Sequence, residues 1–144
     1  MSEREKPTEA DCAYLAALID GRARVRVWGE KRGGSVYRKI ELTLGPITLP
    51  QAEWLGSKFG GGRRVLGIEG KENPSVTFVT TDAAMLCVHA YPYLLVMKRQ
   101  AQLVNRFAQS LGGKGVRLTT DQAAIRSEVA RELQMLERSG GGKA

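Results

Sequence analysis

A chain of 144 residues that is 42% hydrophobic makes one domain with a single buried core, not a disordered or fibrous chain. Twenty-two Lys and Arg against 15 Asp and Glu leave a net charge of +7 and a pI near 9.7, a balance that favours a polyanionic partner. No apolar run approaches the ~18 residues of a membrane span. The charged start MSEREKP is unlike a signal segment. A cytoplasmic chain without membrane contact is therefore expected. Cys12 and Cys87 have neither metal nor redox spacing and read as buried, reduced thiols.

Residues 1–7 are expected to be disordered, a single domain to run over 8–138, and 139–144 to form a flexible tail. Thr8-Glu9-Ala10-Asp11 reads as a capping box with a short acid. It starts a helix over 8–20 that carries Ala13, Leu15, Ala16, Leu18 and Ile19 and ends at Asp20-Gly21. Strict alternation follows, with Val25 and Val27 facing one way and Arg24, Arg26, Trp28 and Glu30 the other. After a turn at Lys31-Arg32-Gly33-Gly34, Ile40, Leu42 and Leu44 point inward and Lys39, Glu41 and Thr43 outward.

A helix after Pro50 carries Trp54, Leu55 and Phe59 and stops at Gly60-Gly61-Gly62. In a second hairpin, turning at 70–74, Leu66 and Ile68 pair inward with Val76 and Phe78. Helical character returns over Asp82–Ala90, breaks at Pro92 and resumes over Lys98–Leu111. A last helix follows the cap at Thr119-Thr120-Asp121, with Ala124, Ile125, Val129, Leu133 and Leu136 as its apolar stripe. The fold class is α+β, ordered αββαββαα, with one antiparallel sheet and its helices on one face. The bare face would carry Arg24, Arg26, Trp28, Glu30, Arg32, Lys39, Glu41, Thr43, Glu69, Ser75 and Thr77. Such residues pack poorly and hydrogen-bond base edges well. Lys71, at a hairpin tip, would hold phosphate.

Tyr14-Leu15-Ala16-Ala17-Leu18-Ile19-Asp20-Gly21-Arg22 resembles the LAGLIDADG motif of homing endonucleases. Tyr91-Pro92-Tyr93-Leu94 followed by Lys98-Arg99-Gln100-Ala101-Gln102-Leu103-Val104 resembles a second landmark of that family. With the element order, the resemblance covers about 8–137. It implies a saddle-shaped antiparallel sheet lying in the DNA major groove. It also implies a motif helix that forms the interface between two such units. Only one motif is present, so a homodimer on a pseudo-palindromic double-stranded DNA site is expected. Ala13, Ala16, Ala17, Asp20 and Gly21 would line its interface.

The chain departs from the family where chemistry is done. The family's eighth motif position is an acid that holds a divalent metal; here it is Arg22, which cannot ligate a cation and would instead contact DNA. A basic residue after the second landmark falls at Met97, and a polar one after the second strand at about Thr48. Asp20 is retained, but helix geometry turns it ~200° from Arg22. His89, the only histidine, reads as structural, without a Ser–His or Cys–His arrangement. These departures lead to an expectation of DNA binding without an enzyme activity, without metal or cofactor, in an intron-associated or transcription-regulating role. Alternatives are an active homing endonuclease with a non-standard metal site, or an RNA-binding, maturase-like splicing cofactor. The chain would reside in the cytoplasm, or in an organelle or nucleoid with its DNA.

Overall fold

The computed structural model describes residues 6–32, 35–65, 74–110 and 119–137, the side chains at 30–37 and 63–65 excepted. In chain order these form α1 (Glu9–Arg22), β1 (Ala23–Arg32), β2 (Ser35–Leu44), α2 (Leu49–Lys58), β3 (Arg63–Val65) and β4 (Ser75–Val79). Then come α3 (Thr81–Ala90), a 3-10 turn (Tyr91–Tyr93), α4 (Lys98–Gln109) and α5 (Thr120–Leu136).

Side-chain caps set three of the helix starts. The Thr8 hydroxyl accepts from the Asp11 N–H at 3.1 Å, and the Asp11 carboxylate accepts from the Thr8 N–H at 3.0 Å. That backbone bond, with Lys58 nearby, holds the Asp11 carboxyl below the usual carboxylate range. Thr48 with Gln51 and Thr119 with Gln122 repeat the device at α2 and α5. Each such cap contributes about 1 kcal/mol. At the far end of α1, Ala23 turns directly into extended backbone, so the helix feeds β1 without a loop.

The sheet is antiparallel in the order β1-β2-β4-β3. Ile40, Leu42, Leu44, Val76 and Phe78 are buried on its inner face, with Val25 and Val27 packed beside them. Fully burying side chains of this size stabilises the fold by roughly 1.5–3 kcal/mol each. The helices cover that face: α1 and α3 lie against the central strands, α5 against β1, and α4 bridges α3 and α5. Bidentate pairs join α4 to α5, Arg99 with Glu132 at 2.7 Å and Arg106 with Glu128 at 3.2 and 3.3 Å. Among the described residues no helix is long and apolar enough to cross a membrane.

The second hairpin differs from its expected register. Arg64, not Leu66 or Ile68, lies opposite Val76, and Arg63 lies opposite Thr77; Leu66 and Ile68 fall outside the described residues. The cause is an early strand start. Gly62 lies so close over β4 that a Cβ there would sit 2.7 Å from the Phe78 ring, and pairing begins directly after it.

Candidate nucleic-acid interface

The outer face of the sheet is organised in rows set by the strand register. Arg24, Thr43 and Thr77 are neighbours across β1, β2 and β4; Arg26, Glu41 and Val79 form the next row; Trp28 and Lys39 the third. The Thr43 and Thr77 hydroxyls hydrogen-bond at 3.0 Å. The Arg26 guanidinium lies 5.9 Å from the Trp28 ring centroid, and Lys39 Nζ is 3.8 Å from a Glu41 oxygen. Trp28 is 47% exposed, at the edge strand, where Gln134 of α5 and Glu137 just after it line one cavity with it and Arg26. Ser75 belongs here too, packed so closely on Gly45 that a Cβ at 45 would lie 2.9 Å from its Cα. Glu69 and Lys71 lie outside the described residues, as do the side chains of Glu30 and Arg32 on β1. Val79, an exposed apolar residue on this face, was missed by the sequence reading; continuing the alternation of Ser75 and Thr77 by one step would have found it.

At the end of α1 the structure reassigns four residues. The Asp20 carboxylate accepts from the N–H groups of Leu95, Val96 and Met97 at 2.8, 3.1 and 2.9 Å. It therefore ties the start of α4 to α1 within the protomer. Met97 is a buried core side chain. Thr48 is the α2 cap, drawn away by Gln51; the residue after β2 that abuts α1 is Gly45, whose N–H donates to the Arg22 carbonyl at 3.1 Å. Arg22 itself is exposed in the last turn of α1, where a cation suits the helix dipole.

The divalent cation implied by the motif resemblance does not fit this donor set. Both Asp20 oxygens are engaged by amides, and the eighth motif position, Arg22, is a guanidinium. Among the described residues no group of three or more His, Cys, Asp or Glu could hold a metal ion.

The expected interface stripe on α1 divides in two. Ala13, Ala17 and Gly21 are exposed, and nothing lies within 4 Å of a Cβ placed at Gly21. Ala16, however, is buried in the protomer's own core, one helical step round from Ala17, and is not available to a partner. Two residues unforeseen from the sequence stand out instead. Leu95 and Val96 are 88% and 63% exposed, in the segment whose backbone Asp20 holds.

His89 also has a neighbour the sequence did not reveal. Its Nδ1 lies 3.9 Å from Cys12 Sγ, and its ring packs edge-on to Phe59. Desolvation, then the charges of Asp11 and Glu9, push the Cys12 thiol up, which disfavours the thiolate beside the ring. Cys12 is half-buried, against expectation, and Cys87 is buried.

A sheet with one face closed by helices and the other carrying polar and cationic side chains defines an α+β class. Within that class, the chain has the fold of the LAGLIDADG homing endonucleases. The homing endonuclease I-CvuI in complex with its target is matched at 17% identity and a TM-score of 0.69, over 89% of this chain and 82% of that one. The archaeal intron-encoded homing endonuclease I-Vdi141I complexed with DNA is matched at 14% identity and TM-score 0.73, over 88% and 84%. The LAGLIDADG meganuclease I-AabMI bound to uncleaved DNA is matched at 16% identity and TM-score 0.61, over 91% of this chain but 49% of that one. No protein-family model and no curated protein matches the sequence.

These likenesses correct one expectation. The sequence reading treated the chain as a non-enzyme, yet the matched structures are homing endonucleases, which are enzymes. Arg22 and Met97 change the donors at one site and do not establish a loss of cleavage.

Proposed function

We propose that this chain recognises double-stranded DNA sequence-specifically, through the outer face of its sheet, as a homodimer on a pseudo-palindromic site. The observation that carries the reading is that face: Arg24, Arg26, Trp28, Lys39, Glu41, Thr43 and Thr77 lie in register on adjacent strands, outside the buried core. Same-face residues recur about every 6.8 Å along a strand, matching two steps of the ~3.4 Å nucleotide repeat. The 10 residues of β1 span roughly 33 Å, about one turn of duplex, so each protomer reads about one turn. Arg22 and the net charge of +7 supply attraction to phosphates that carries no sequence information.

Dimerisation through α1 is supported by the exposed small residues Ala13, Ala17 and Gly21, and by the largely exposed apolar side chains of Leu95 and Val96 in the segment that Asp20 holds. That the chain corresponds to most of I-CvuI and to about half of I-AabMI supports reading it as one unit of two. Selecting bound duplexes from a randomised pool tests the reading. An enriched inverted repeat, resistant to competition by single strands or structured RNA, is expected. Absence of enrichment, or displacement by RNA, contradicts it. Incubating the enriched duplex with Mg2+ or Mn2+ measures cleavage directly.

A further inference from the structure

A carboxylate is an unexpected group at the centre of a face that docks on a polyanion. Glu41 lies there, between Arg26 on β1 and Val79 on β4. Its charge is repelled by every phosphate, so it favours binding only where the duplex offers a donor. In the major groove only cytosine N4 and adenine N6 donate. Its neighbour Arg26 has the opposite preference. A guanidinium fork bonds the adjacent O6 and N7 acceptors of guanine better than any other base edge. One base pair satisfies both, because a G·C pair presents two acceptors on one base and a donor on the other.

The local geometry suits that task. Residues opposed across antiparallel strands have Cβ atoms ~4.5–5.5 Å apart, so the two side chains reach the same step of the groove. The Arg26 guanidinium lies over the Trp28 ring, 5.9 Å from its centroid, which restricts the fork before DNA arrives. Glu41 is held from the other side by Lys39 Nζ at 3.8 Å, and its side chain is only 22% exposed. Among the described residues Arg26 and Glu41 form no ion pair with each other, so the two need not separate to meet a base, and the Lys39 contact leaves the second Glu41 oxygen to accept. We propose that Arg26 and Glu41 together read a single G·C pair in each half-site, Arg26 taking the guanine and Glu41 the cytosine. Glu41 is the residue that rejects other bases. The proposal rests on the sheet face being the reading surface.

Site selection on the parent chain and two variants tests it. The parent should fix one G·C pair in each half-site. With Glu41→Gln that same position should broaden to admit A·T, because an amide both donates and accepts. Discrimination there should fall roughly 5- to 150-fold, while affinity for random duplex rises because a charge facing phosphates is removed. Arg26→Lys keeps the charge and loses the fork, so it should relax the same position with little loss of overall affinity. A circular dichroism spectrum unchanged from the parent's verifies that each variant is folded. A Glu41→Gln site identical to the parent's, or relaxation by the two variants at different positions, overturns the pairing. A parent chain that enriches no site at all contradicts the sheet-face reading itself, so the two failures are told apart.

Discussion

The two faces of the β1–β2 hairpin are made from alternate residues of the same strands, yet they obey different rules. Inside, Ile40, Leu42 and Leu44 are dry and packed against helices, so each is chosen for volume. Outside, Lys39, Glu41 and Thr43 lie off the buried core, so each is free to be chosen for charge and hydrogen-bonding capacity. The inner set decides that the sheet exists; the outer set decides what it meets. Substitution should therefore separate stability from recognition almost completely.

The sharpest break in that comparison lies on β4, where neighbours in sequence belong to opposite faces. Phe78→Ala should cost about 3–5 kcal/mol of unfolding free energy. Thr77→Ala, one residue away, should cost at most about 1 kcal/mol for its half-exposed hydroxyl bond. Urea denaturation of both variants measures the contrast.

The dry side also makes a pH prediction. Burial pushes the Cys87 thiol from 9.0 up to about 12. Above pH 9 the unfolded chain has lost this proton and the folded chain still binds it. Stability is therefore intact below pH 9 and falls towards pH 12, by roughly 1.4 kcal/mol per pH unit from this group. Cys87→Ala should flatten that part of the stability profile; an unchanged slope would place the thiol in a wetter setting.

On α1 the same division separates Ala16 from Ala17. Ala17→Trp should weaken self-association by ~1–3 kcal/mol through overpacking and leave the protomer folded, whereas Ala16→Trp should unfold it. Sedimentation beside thermal denaturation distinguishes them, and a parent chain that stays monomeric at micromolar concentration contradicts the dimer. The smallest effect expected is at Arg22. Arg22→Ala should weaken all duplexes alike and reduce the slope of log K against log salt by about 0.9 per protomer, about 1.8 for the dimer. A changed base preference would move Arg22 from phosphate to base contact.

Much of this division was legible in the sequence, because it rests on local period. The alternation of Val25 and Val27 with Arg24 and Arg26, and of Ile40 and Leu42 with Lys39 and Glu41, needs only a strand's two-residue repeat. The capping box at Thr8 and the cap at Thr119 are likewise patterns of a few neighbouring residues. What could not be read depends on segments far apart. Asp20 meets the amides of Leu95–Met97 across 75 to 77 residues, so the exposure of Leu95 and Val96 is a tertiary outcome. Cys12 and His89 are similarly 77 residues apart. Thr48 was misplaced because its sequence position after β2 says nothing of the cap it forms with Gln51, nor of Gly45 taking the place beside Arg22.

The account's central claim is that the outer sheet face reads sequence. Its most direct test is selection from one randomised duplex pool by the parent and by a variant with Arg24, Arg26, Lys39, Thr43 and Thr77 all changed to Ala. The account predicts that the parent enriches an inverted repeat and that the variant, folded and dimeric, enriches none while retaining weak, salt-sensitive binding. Enrichment of the same repeat by both chains would contradict it.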